Sequence, residues 1–127
     1  MNALRIFCLG FCAAVLVVGS VGCGDKTVDD ALTSDANGYL CKKCSAKFYL
    51  DRKFFPNRCP ECKTPNYELV LGFVCPVDKH VTYAGKGRGS HACEQCGKVT
   101  SAILIPRAAD LKAWGATKKT AAEVLGN

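Results

Sequence analysis

No Cys-x-x-Cys pair in this chain is followed by histidine; Ser45, Lys63 and Gly97 stand in that place. Covalent attachment of a c-type haem is thereby excluded. No apolar run reaches the ~20 residues that a bilayer-crossing helix needs. The segment Gly85-Lys86-Gly87-Arg88-Gly89-Ser90 has a phosphate-binding composition but no Gly-Lys followed by Ser or Thr. That excludes a P-loop and leaves a mobile hairpin tip as the better reading. There is no nucleophile–base pair and no pair of carboxylates in a recognisable catalytic setting, so an enzyme is not expected, and no small-molecule substrate is evident. Acidic residues are outnumbered, 11 against 17 basic, and there are only 2 histidines.

Cysteine is plentiful, at 10 residues. Cys41-Lys42-Lys43-Cys44 is followed after a gap by Cys59-Pro60-Glu61-Cys62. Shifted by 34 residues, the frame recurs as Cys75-Pro76-Val77-Asp78 and Cys93-Glu94-Gln95-Cys96. Only Cys44 fails to find a cysteine, landing on Asp78. The flanks obey the same shift: Tyr39-Leu40 on Phe73-Val74, Tyr49 on Tyr83, Leu69-Val70 on Ile103-Leu104. Paired Cys-x-x-Cys knuckles present four thiolates tetrahedrally to one metal.

The early stretch carries Arg5, an apolar run from Ile6 to Val18, then small residues up to Cys23. This has the form of a secretory signal rather than a membrane span. Ser20-Val21-Gly22-Cys23 resembles a bacterial lipobox, with Ser20 where leucine is usual. Residues 1–22 are therefore expected to be a lipoprotein signal peptide and Cys23 the lipidated first residue of a membrane-anchored protein, in the cell envelope and facing the periplasm or exterior. Residues 23–38, with Asp25, Asp29, Asp30 and Asp35 against Lys26, read as a flexible tether reaching about 20 Å. Cys8 and Cys12 fall in the signal and Cys23 would carry lipid, so seven of the 10 cysteines remain. An odd number argues against a pure disulfide framework, although outside the cytoplasm Cys-x-x-Cys pairs can be redox-active.

Two modules follow, residues 39–72 and 73–105. Each is too small for a self-sufficient core and needs a staple. Metal supplies it, because binding free energy becomes folding free energy when the ligands organise only around the ion. The expected class is small, metal-stabilised and β-rich, with short antiparallel sheets from Phe48-Tyr49-Leu50, Tyr67 to Val74, Val81-Thr82-Tyr83 and Val99 to Ile105. Phe54-Phe55-Pro56 is expected to pack over the first site. Lys42, Lys43, Lys47, Arg52, Lys53, Arg58 and Lys63 make the first module basic, which suits acidic partners or anionic head groups but reads better as a solvated face. No nucleic acid is expected of an exported protein.

Site one is Cys41, Cys44, Cys59 and Cys62, a closed four-thiolate set of the structural kind. Soft sulfur favours zinc, with iron the alternative. Site two is Cys75, Cys93 and Cys96 plus a fourth ligand. His80 is favoured, because histidine is the commoner partner of three cysteines; Asp78 and His91 are the alternatives.

These residues resemble zinc-ribbon and rubredoxin-like domains. Tyr39-Leu40-Cys41-Lys42-Lys43-Cys44, Cys59-Pro60-Glu61-Cys62, Pro65 and Tyr67-Glu68-Leu69 look like the compact ribbon at the end of rubrerythrins. That resemblance implies knuckles on β-hairpins and, in that family, iron passing single electrons. Ser45 and Lys63 stand where the pattern has glycine after its first knuckle and a different residue after its second, and Asp78 departs further.

After Pro106, residues 106–127 read as a short helical tail. Ala108 to Trp114 forms one helix broken by Gly115; Thr117 caps a second running through Leu125, ended by Gly126. Packing on the ribbons with Trp114 as anchor competes with a docking element for a protein partner. The chain so read is an exported, lipid-anchored accessory protein with two structural zinc ions, an interaction module in an envelope complex. A rubredoxin-like electron carrier and a thiol redox or metal-delivery protein are the alternatives.

Overall fold

A computed structural model describes residues 33–87 and 89–126. The expected signal 1–22, Cys23 and tether residues up to 32 lie outside the described residues, as does Arg88. Among the described residues no helix is long and apolar enough to cross a membrane. The elements are β1 (Ala36–Cys41), β2 (Lys47–Asp51), β3 (Tyr67–Val74), β4 (Val81–Gly85), β5 (Ala102–Leu104), α1 (Ala108–Ala113), β6 (Thr117–Lys118) and α2 (Ala121–Leu125).

The strands form one sheet in the order β4-β3-β1-β2-β6, with β5 also on β3. β1 and β2 are rich in aromatic and apolar residues and pair antiparallel from Ala36↔Asp51 to Leu40↔Lys47. β3 and β4 pair from Val70↔Gly85 to Val74↔Val81, the same register 34 residues on. Tyr39↔Leu69 between β1 and β3 recurs likewise as Phe73↔Ile103 between β3 and β5. β3 thus serves twice. Its first half, Tyr67 to Leu69, pairs with β1; its second half pairs with β4 on one edge and with β5 on the other.

Two glycines related by the shift admit close neighbours. A Cβ at Gly38 would stand 2.3 Å from Leu111 Cδ2, and one at Gly72 would stand 2.6 Å from Leu104 Cδ1. Only a residue without a side chain lets these leucines lie flat on the strands.

Alternate residues of β1 and β2 feed two separate cores. Tyr39, Cys41, Phe48 and Leu50 join Cys59 and Val124 of α2. Ala36 and Tyr49 join Val70, Leu111 of α1 and Ala116, with Leu40 and Trp114 at the margin. The tail therefore clasps the first hairpin from both faces and along its edge. Leu111 and Val124 are both fully buried, so Leu111 is the anchor expected of Trp114. Trp114 instead lies beneath Lys47 Nζ, 4.1 Å from its ring centroid.

Two expected boundaries are corrected. The tether does not extend to residue 38. Ala36 opens β1, Ser34 is buried with its hydroxyl donating to Ala36 O at 2.9 Å, and Asp35 Oδ1 accepts the Ala108 N–H that opens α1. Thr117 does not cap the second helix. It pairs with Phe48 in parallel, and Lys118 reaches Asp51 at 2.7 Å. The cap is Thr120, whose N–H and hydroxyl both donate to Glu123 Oε2, at 2.8 and 2.9 Å. The Thr120-Ala121-Ala122-Glu123 spacing is a capping-box signature present in the sequence. The tail is thus helix, strand, helix.

Candidate metal centres

Cys41 ends β1, and the chain turns at once. Cys41 N–H donates to Ala46 O at 2.9 Å and Ser45 N–H to Cys41 O at 3.0 Å, closing a knuckle that holds Ser45 at φ +59°. The Cys59 knuckle closes likewise through Cys59 N–H on Thr64 O and Lys63 N–H on Cys59 O, with Lys63 at φ +59°. Both patterns recur 34 residues on, around Cys75 with Lys79 at φ +61° and around Cys93 with Gly97 at φ +72°. Three of these four left-handed positions carry side chains.

The knuckles bring Cys41, Cys44, Cys59 and Cys62 together, every sulfur within 4.8 Å of every other. Cys41 Sγ lies 3.5 Å from Cys62 Sγ, and Cys44 Sγ lies 3.7 Å from Cys59 Sγ. A tetrahedron with metal–sulfur bonds near 2.3 Å has edges of about 3.8 Å. The spacing suits such an ion and is far beyond a disulfide bond. All seven described cysteines are free thiols.

Crowded sulfurs disturb one another's protons. The Thr64 hydroxyl, and then its N–H, draw Cys62 down to about 6. Against the Ala46 N–H, desolvation and the neighbouring sulfurs push Cys44 up to about 12. Desolvation raises Cys41, but the N–H groups of Cys44 and Lys43 outweigh it and leave that thiol lowered. Four thiols so placed cannot all ionise without a cation among them. A divalent metal fits, and it would be held by these four sulfurs.

The second cluster is Cys75, Asp78, Cys93 and Cys96. Its distances mirror the first: Cys75 Sγ to Cys96 Sγ is 3.5 Å, and Cys93 Sγ to each Asp78 oxygen is 3.7 Å. The Cys75 thiol, then the His80 N–H, hold Asp78 down to about 2, the anionic form a ligand requires. Cys96 is pushed up to about 12 against the Lys98 N–H, by desolvation and by Cys75, Asp78 and Cys93.

The structure gathers Asp78, not the favoured His80, with the three cysteines. His80 corresponds to Ala46 under the shift, and both serve through the backbone. Ala46 O and His80 O accept the N–H of Cys41 and Cys75 respectively, and His80 N–H donates to Asp78 Oδ1 at 2.9 Å. The knuckle fixes which side chain turns inward, and that outweighs the preference for histidine as a donor. The His91 imidazole lies against Phe73, ring centroids 4.1 Å apart, in a packing role.

Of the expected cover on site one, Phe54 packs on the core that contains Cys41 and Cys59, whereas Phe55 is exposed. Thr64 is a site residue that composition did not single out. Its signal was its place two residues after Cys62. Neither family models, curated proteins nor solved structures yield a match to this chain.

Proposed function

We propose that the chain is an exported, lipid-anchored protein built of two tandem zinc ribbons, non-catalytic, serving as an interaction module in an envelope complex. The observation that carries the metal reading is the duplicated donor set, with edges of 3.5 and 3.7 Å in both clusters. Both sets fill four positions from the protein, which suits a structural ion with no water held for activation. Zinc bound there makes the two ribbons fold, and lipid at Cys23 holds them at the envelope. A protein partner acting through the tail meets its outward side, such as half-exposed Leu125, because Leu111 and Val124 are used internally.

Elemental analysis with a visible spectrum, on chain purified without added metal, tests the reading. Two zinc ions and no colour are expected. One iron with a red, reducible chromophore would make site one a rubredoxin-like electron carrier. Backbone N–H donors to Cys41 (Lys43 and Cys44) and to Cys59 (Glu61 and Cys62) favour that second reading enough to keep it under test.

A further inference from the structure

Two clusters of equal spacing differ in one donor and in what surrounds them. Site one has four sulfurs; site two has three sulfurs and the exposed carboxylate of Asp78. An oxygen donor holds a borderline-soft ion less firmly than a thiolate does. Asp78 also has a second attachment, since its Oδ1 accepts the His80 N–H at 2.9 Å. The equivalent N–H in site one, that of Ala46, points at the Cys44 sulfur. Both Asp78 oxygens stand 3.7 Å from Cys93 Sγ, so the carboxylate can rotate about its own axis without leaving the knuckle.

The surroundings differ in the same sense. The tail braces site one: Val124 packs in the core with Cys59, Asn57 N–H donates to Val124 O at 3.2 Å, and Lys119 pairs with Glu61 at 3.0 Å. Around site two, Val77 inside the first knuckle and Val99 after the second are 66% and 63% exposed. Opening the first site strains a packed core; opening the second moves a surface turn.

We infer that site two is the exchangeable metal site of this chain, and that Asp78 is the arm that lets go to admit an incoming thiolate. This rests on reading both clusters as metal sites. In the exchange one Asp78 oxygen–metal bond breaks and one sulfur–metal bond forms. The incoming thiol gives its proton to solvent, and no electrons move. Site one stays loaded and keeps the fold while site two trades its ion.

The experiment uses the full chain carrying two zinc ions, mixed with excess 4-(2-pyridylazo)resorcinol while zinc release is followed by absorbance. Two phases of equal amplitude are expected, separated by about 10-fold or more, the low end of what loss of an outer-shell partner alone does to a metal site. Glutathione should accelerate the fast phase only. Asp78→Cys should merge the fast phase into the slow one. The reciprocal Cys44→Asp should speed the slow phase, and a folded Asp78→Cys keeps the test decisive if Cys44→Asp does not fold. A single phase in the wild-type chain overturns the inference, as does a fast phase that Asp78→Cys leaves unchanged. A chain that retains no zinc overturns the metal reading itself, a result distinct from either.

Discussion

At the scale of single residues, the knuckles hold side chains where glycine is easier. Ser45 sits at φ +59°, and its sequence-equivalent Lys79 at +61°. A left-handed residue costs about 1–2 kcal/mol, part of which glycine returns through its greater freedom when unfolded. Ser45→Gly should therefore raise the stability of the metal-loaded chain by about 0.5–1 kcal/mol in thermal unfolding. Gly97→Ala, at φ +72°, should lower it by a similar amount. Tyr39 offers a different lever. It is 4% exposed, and its hydroxyl finds no hydrogen-bond partner among the described residues. Burial, and then the nearby Tyr67, push it up to about 12 from an ordinary value of 10. The unfolded chain therefore gives up this proton first. The contribution to stability is complete below pH 10 and is lost as pH rises toward 12. Denaturant midpoints across that window should fall for the wild type and fall less for Tyr39→Phe. An equal fall in both would remove Tyr39 as the cause.

At the scale of elements, the tail is half of the first hairpin's packing. Leu111→Ala should destabilise the chain by about 2–4 kcal/mol and expose residues 106–126 to protease. Gly38→Ala should be nearly as harmful, because its new methyl meets the same leucine. In the double variant the clash is gone, so the two effects should sum to less than their parts. A strictly additive pair would deny the contact. This element scale is also where the sequence was least legible. Strands β2 to β5 were readable as β-prone pieces, and the knuckles and site-one ligands from the repeated cysteine spacing, whereas β1, lying across the expected tether boundary, was not. The fourth residue of the second cluster was readable from the same repeat, yet a preference for histidine as a donor outweighed it. β6 was hidden: two exposed residues, Thr117 and Lys118, become a strand only because β2 has a free edge beside them. The start of the fold was hidden too. Ser34 and Asp35 look like linker until the partners 72 and 73 residues away are in place.

At the scale of the whole molecule, β3 belongs to both sheet repeats, with no linker between them. Full chelation with a strong chelator at neutral pH should abolish the far-ultraviolet β signal, the share of β4 and β5 first and the rest when site one gives up its ion, since neither half of β3 has pairing partners without its knuckles. Acid should do the same by protonating the thiolates a metal needs, so metal content and structure should be lost together as pH falls. Retention of a full β signal in the metal-free chain would assign the folding energy to the tail-clasped core instead.

The two ends of the described chain meet at the first hairpin. Thr33 accepts from Arg107, Ser34 donates to Pro106 O, and Asp35 holds the first turn of α1. In mechanical terms, if the proposed anchor precedes Thr33 and a partner grips the tail, a pull between them travels through that one hairpin. The second sheet repeat leaves and re-enters at β3 and β5 and hangs outside that line of force. Under the proposed exchange, it would open, trade its ion and close again while such a pull lasts.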